Sequence, residues 1–192
     1  EIFKKGLKIF PNNISILSNI GAFYRSTGKF DDAENYLNKA LSLNNKDFTV
    51  LVNLANVKRD KGQNKESIQL YEKAYNLNKN NETLLINLAG AYQIDAQFDS
   101  SKKILREINE KYPQNTKADH MYSSIHNYEE KDLHRDQMIQ KLSSQNLSQE
   151  NISNLCFAIA KSYSDIKNYA DSSKFFIKAN NANNNLLKNY DF

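Results

Sequence analysis

The 192-residue sequence has little of what would staple, break or anchor a chain. Its single cysteine, Cys156, excludes an internal disulfide and gives no sign of an oxidising compartment. Only two prolines, Pro11 and Pro113, interrupt it, which favours helices throughout. The five glycines, Gly6, Gly21, Gly28, Gly62 and Gly90, form no phosphate-binding loop, and no cofactor is expected. No apolar run approaches the roughly 18 residues of a membrane span, and no signal peptide is visible. The expectation is a cytoplasmic chain without membrane contact. Net charge is +4, but the basic residues are interleaved with acids and nowhere cluster as a phosphate-tracking surface requires, so nucleic acid is not an expected partner.

Catalytic chemistry is missing too. No Ser–His–acid set sits on a recognisable elbow. His120 and His126 stand six apart and point to different helix faces, and with His134 they are expected as surface or groove residues, not metal ligands. Cys156 falls beside Ile159 and Ala160 on an apolar face, a packing position. No catalytic residue and no metal are expected. Asn is frequent, as are Lys and Ile, in keeping with an AT-rich coding genome. The two glycosylation-like triplets at Asn13 and Asn151 are expected accidents of that composition.

What the sequence has is a beat of 34 residues. Gly21, Ala55 and Ala89 stand 34 apart, as do Ala40 and Ala74, and as do Leu17, Leu51 and Leu85. In the clearest unit, 14–47, Leu17, Ile20, Gly21 and Tyr24 form one face of a first helix. Gly28 and Lys29 break it, and Phe30, Ala33, Leu37, Ala40 and Leu41 form one face of a second. Small Gly21, Ala33 and Ala40 sit where helices approach closely, and large residues fill between them. Asn13, Asp47, Asn81 and Asn115 recur just before each first helix as N-caps, and Asp31 and Asp99 are expected to cap two second helices.

This pattern resembles the tetratricopeptide repeat (TPR) family over essentially the whole chain. It implies an all-α solenoid, a superhelix of antiparallel helix hairpins. Residues 1–13 read as the second helix of a truncated repeat, followed by regular repeats at 14–47, 48–81 and 82–115. An irregular repeat spans 116–152, the last repeat 153–186, and a tail or linker 187–192. Departures occur at Lys58, where an aromatic is usual, at Ser67 and Ser101, where Ala is usual, and at Ile108. From Ser123 to Ala160 the beat slips to 37 residues, and the extra residues are expected within 126–132. The chain starts at Glu1 and mid-repeat, which reads as a piece of a longer protein. Phe3, Leu7 and Ile9 would then lack a partner helix, an apolar end that favours a homodimer.

The resemblance implies that first helices line a concave groove binding a protein or peptide. One inner position is Asn three times over: Asn19, Asn53 and Asn87. Each amide offers an acceptor and two donors. With repeats about 10 Å apart and an extended chain rising about 3.3 Å per residue, one Asn meets roughly every third peptide residue. The alternative is that these amides tether local structure. Arg25 and Arg59 share another inner position and could clamp a carboxylate. The chaperone-adaptor type of TPR uses an inner Lys where this chain has Ser18, so chaperone-tail binding is not expected. Residues 116–192 also resemble the TPR segment of bacterial TPR–sulfotransferase fusions, through His120–Tyr128, Asp132–His134, Asn154–Tyr163 and Phe175–Asn180. That resemblance implies a scaffolding or substrate-recruiting role for a catalytic domain absent from this chain. Self-assembly is a third reading.

Overall fold

The computed structural model describes residues 2–144 and 146–188, and all regular structure among them is helical: eleven α-helices and no strand. The side chain of Phe3 and the end of the expected tail, 189–192, lie outside the described residues. The chain divides into two compact units, Glu1–Ser100 and Ser101–Phe192.

The first unit holds α1 (Ile2–Ile9), α2 (Ile14–Ser26), α3 (Phe30–Leu43), α4 (Phe48–Asp60), α5 (Asn64–Leu77), α6 (Glu82–Ile94) and the start of α7 (Phe98–Lys111). The first helices begin where the caps place them. Asn13 accepts from Ile16 N, Asp47 from Val50 N and Asn81 from Leu84 N, at 3.0, 3.0 and 2.8 Å. Each satisfies an amide that has no partner within its own helix. The expectation for Asp31 and Asp99 needs correcting. Both lie inside the first turns of α3 and α7, and the residue preceding α3, Lys29, makes no side-chain cap. As first-turn acids they complement the partial positive charge at a helix N-terminus instead of accepting a capping bond.

The turns of three successive hairpins each carry a residue with left-handed backbone, Gly28 (φ 74°), Gly62 (75°) and Ala96 (56°), 34 apart, and so does the last hairpin at Lys167 (62°). Glycine adopts that conformation without steric cost; a Cβ makes it unfavourable. Ala96→Gly and Lys167→Gly are therefore expected to stabilise the chain by about 0.5–1 kcal/mol each, read as a raised midpoint in urea. A lowered midpoint would show that the turn is not strained.

The core of this unit joins Leu17, Ala33, Leu37, Ala40, Val50, Leu54 and Val57. Gly21 is required by close approach: a Cβ there would stand 2.5 Å from Leu37 Cγ. Tyr24 stacks on Tyr36 at 5.5 Å between ring centroids, joining the two helices of the hairpin. The departures from the small-and-large pattern have local reasons. Ser67 is fully buried and donates to the Ala55 carbonyl at 2.9 Å, so its hydroxyl is satisfied where alanine would need no partner. Lys58 lies half-buried between Glu34 and Glu66, at 2.7 and 2.6 Å.

The second unit contains the rest of α7, then α8 (Thr116–Ile125), α9 (Leu133–Leu142), α10 (Gln149–Asp165) and α11 (Tyr169–Lys188). Asn115 caps α8 through Ala118 N at 2.7 Å. This helix ends after ten residues, against thirteen for α2, α4 and α6, and His126 turns the backbone extended. Residues 126–132 follow as a connection, and Asp132 caps α9 by accepting from His134 N at 2.9 Å. Leu133 begins α9 35 residues after Phe98 begins α7, so only one extra residue falls before α9. The others come later: α10 starts at Gln149, four residues ahead of the expected boundary at 153, with Ser148 as its cap.

The connection is firmly held. Tyr128 is buried in a core of Met138, Leu155, Ala158 and Ile159. Its backbone N–H donates to Asp165 Oδ2 at 3.0 Å. Arg135, itself buried, donates to the carbonyls of Glu129 and Glu130, and its guanidinium lies over the Tyr163 ring at 5.3 Å. Lys161 donates to the His126 carbonyl and pairs with Asp165. Cys156 is fully buried, and burial pushes its thiol up, which keeps it protonated and inert.

Candidate functional site

Two places offer polar groups to a partner: the first-helix face of the first unit and a cavity in the second.

On the first-helix face, Asn19 is exposed while Asn53 and Asn87 are half-buried. Asn53 Nδ2 donates to Ser18 Oγ at 3.0 Å, a tether from one first helix to the one before it. Its Oδ1 has no such bond. The side chains of Asn19 and Asn87 hold no hydrogen bond among the described residues. Ser18, which accepts that bond, is buried.

Arg25 and Arg59 are brought together by a residue the sequence did not single out. Arg25 Nε donates to Asp60 Oδ2 at 2.6 Å, and an Arg59 guanidinium nitrogen lies 3.6 Å from Asp60 Oδ1. Arg59 also donates to the Tyr71 hydroxyl at 3.3 Å, and that hydroxyl donates to Asn56 Oδ1 at 2.5 Å. Burial pushes the Tyr71 phenol up to about 12, so it remains a donor at any physiological pH. The carboxylate that these arginines clamp is thus supplied by the chain itself. Beside them, Glu34 receives both Lys58 and Lys61, each at 2.7 Å. Burial alone would raise its carboxyl, but the two ammonium groups outweigh it and hold the carboxyl below its ordinary value.

The cavity encloses about 1020 Å³. It lies between α7, which contributes Arg106, Asn109 and Glu110, and α9, which contributes Gln137, Gln140 and Lys141, with Tyr122 of α8 in its wall. Two of the three histidines of the irregular repeat, His126 and His134, line it as well. Neither is an isolated surface residue. Behind them Asp119, 1% exposed, accepts from Lys141 with both oxygens, at 2.9 and 2.7 Å, and from His134 Nε2 at 3.1 Å. A carboxylate can only accept here, so His134 Nε2 carries the proton, and Nδ1 accepts from the Tyr128 hydroxyl at 2.7 Å. Burial, reinforced by Asp132 and the other nearby acids, raises the Tyr128 phenol far above its ordinary value and keeps that donor protonated. His126 Nε2 faces Asp132 Oδ2 at 2.9 Å. Burial works against the Asp132 charge, but that contact and the backbone N–H groups of Arg135 and His134 hold its carboxyl below the ordinary value.

Sequence periodicity could not find this cavity. Its walls come from α7, α8, α9 and the connection at 126–132, and its residues do not repeat. The clustering of all three histidines in the irregular repeat was the one available signal. Among the described residues no group of three His, Cys, Asp or Glu side chains is placed to hold a metal ion. No helix among them is long and apolar enough to cross a membrane.

No curated protein matches the sequence. The chain is similar in fold to YrrB, described as a TPR protein with an unusual peptide-binding site, at TM-score 0.73 and 18% identity, covering 95% of this chain and 92% of that one. It is similar to MamA at TM-score 0.71 and 18% identity, covering 93% of this chain and 96% of that one. The first TPR of Spaghetti (RPAP3), bound to an HSP90 peptide, matches 58% of this chain and 91% of its own length at TM-score 0.54 and 19% identity. Two family profiles, both described as tetratricopeptide repeat, match residues 12–80 and 58–125. With first helices starting at Ile14, Phe48, Glu82 and Thr116, 34 residues apart, and the two profiles together spanning 12–125, the chain belongs to the tetratricopeptide repeat family.

Proposed function

We propose that the chain is a protein-interaction module that holds an extended segment of a partner protein along its first-helix face. The observation that carries this is the amide at one repeated position, Asn19, Asn53 and Asn87, with acceptors and donors that the fold leaves unused. The tether to Ser18 occupies one amide hydrogen of Asn53 and fixes its side chain, so its carbonyl oxygen is presented in one orientation. Such a row reads peptide groups in preference to side chains. Arg25 and Arg59, joined by Asp60, serve beside it as a stiff wall with guanidinium N–H groups to spare. Similarity to YrrB and to the peptide-bound TPR of Spaghetti supports an interaction role, since their descriptions name a peptide-binding site and a bound peptide.

The experiment is a selection of heptapeptides on the full chain, followed by affinity measurement on Asn53→Ala/Asn87→Ala. Loss of two amide contacts should weaken the selected peptides by about tenfold or more, with far-UV circular dichroism unchanged. N-methylation of the peptide backbone should weaken binding similarly. Undiminished affinity in the double variant would remove the amide row from the reading.

A further inference from the structure

We infer that the cavity between α7 and α9 is a second binding site, for a short extended peptide segment that carries a carboxylate side chain. It lies wholly within residues 106–144 and shares no residue with the first-helix face.

Charge is the first argument. Lys141 is neutralised by Asp119, and Asp132 faces His126. What remains at the cavity is Arg106 and Lys131 against Glu110 and Asp132, with no net charge, and Arg106 is the guanidinium among them. Among the described residues neither Lys131 nor Glu110 holds an ion pair. Arg106 is exposed and meets only a neutral partner, donating to the Tyr122 hydroxyl at 3.2 Å with its guanidinium over the same ring at 5.8 Å. That contact fixes one edge of the guanidinium plane and leaves its other N–H groups for a bidentate carboxylate.

The second argument is an acceptor without a donor. Asn109 lines the cavity, and its Oδ1 is buried with no hydrogen-bond partner. A peptide N–H would satisfy it after a small turn of the amide, and few buried acceptors are left unmade. Gln137 and Gln140, one helical turn apart on α9, bring further amides to the opposite wall. A ligand with alternating N–H and C=O groups and one carboxylate answers this set.

Support behind the wall is the third argument. Tyr122, which positions Arg106, packs against the rings of His126 and His134 at 4.9 and 4.8 Å, and His134 is anchored on Asp119. Polar side chains held this way keep their aim. Length fits as well: α9 has ten residues, about 15 Å of helix, which faces roughly four or five residues of extended chain.

The test uses terminally blocked pentapeptides in two pools, one with a central glutamate and one with a central glutamine, titrated against the full chain by fluorescence anisotropy. The glutamate pool is expected to bind at least about tenfold more tightly. Arg106→Ala should abolish that preference, and Lys131→Ala should reduce it several-fold; both sites are exposed, so the fold should persist. Asn53→Ala/Asn87→Ala should leave it intact. The proposal is overturned by equal binding of the two pools, by a preference that survives Arg106→Ala, or by its loss in the Asn53/Asn87 variant. Displacement by inorganic phosphate as effective as that by the glutamate peptides would equally overturn it, in favour of an unselective anion site.

Discussion

Replacing Asp119 with alanine should cost the second unit about 3 kcal/mol or more, the largest loss expected from any polar substitution in this chain. The carboxylate is 1% exposed and, among the described residues, is the only acid paired with Lys141, while also anchoring His134. Its removal leaves a half-buried ammonium facing an imidazole N–H across the vacated space. Breaking a buried pair from one side commonly costs about 3–5 kcal/mol. The lower end applies because Lys141 lines an open cavity and can rehydrate. Asp119→Asn keeps the shape and one acceptor and should cost less. Removing both charges with Asp119→Leu/Lys141→Met should cost less than Asp119→Ala alone. Urea denaturation followed by far-UV circular dichroism orders the three variants. If Asp119→Ala proves the mildest, the network is not a stabilising one.

The second large effect concerns Gly21 and Leu37. Leu37 is fully buried in the first core, and Leu37→Ala should cost about 2–5 kcal/mol through lost burial and the cavity left behind. Gly21→Ala acts oppositely on the same space. Its Cβ would stand 2.5 Å from Leu37 Cγ and 2.9 and 3.0 Å from the two Cδ atoms, so leucine or backbone must shift. Overpacking of this kind costs about 1–3 kcal/mol, offset by about 1 kcal/mol of better helix propensity. Together the two substitutions should be less harmful than their sum by about 0.5–3 kcal/mol, because the new methyl occupies part of the vacated volume. Strict additivity in a double-mutant cycle would show that the two residues do not share that space.

These two cases mark what the sequence could and could not convey. Gly21 and Leu37 were readable because both stand on the 34-residue beat, and a hairpin core is set by which positions are small. The caps at Asn13, Asp47, Asn81 and Asn115 were readable for the same reason. Asp31 and Asp99 were misplaced by a few residues because an acid suits both a cap and a first turn, and only backbone geometry separates them. The pairing of Arg25 and Arg59 through Asp60 was not readable at all. Asp60 has Ser26 and Ile94 at the corresponding repeat positions, so nothing periodic points to it. The cavity was hidden for a stronger reason. Part of its wall is the connection at 126–132, which follows the early end of α8 at Ile125 and has no counterpart in the regular repeats.

The tethers between hairpins have a consequence for how the protein is made. Arg25 reaches Asp60 and Asn53 reaches Ser18, each across 35 residues, while Asn154 reaches Thr116 across 38. Every such link spans about one repeat, so a segment leaving the ribosome finds its partner in the segment made just before it. Each loop to be closed is short, and its entropic cost is met before the next helix appears. Assembly can therefore run in step with translation, one hairpin at a time, with no need for distant parts of the chain to meet.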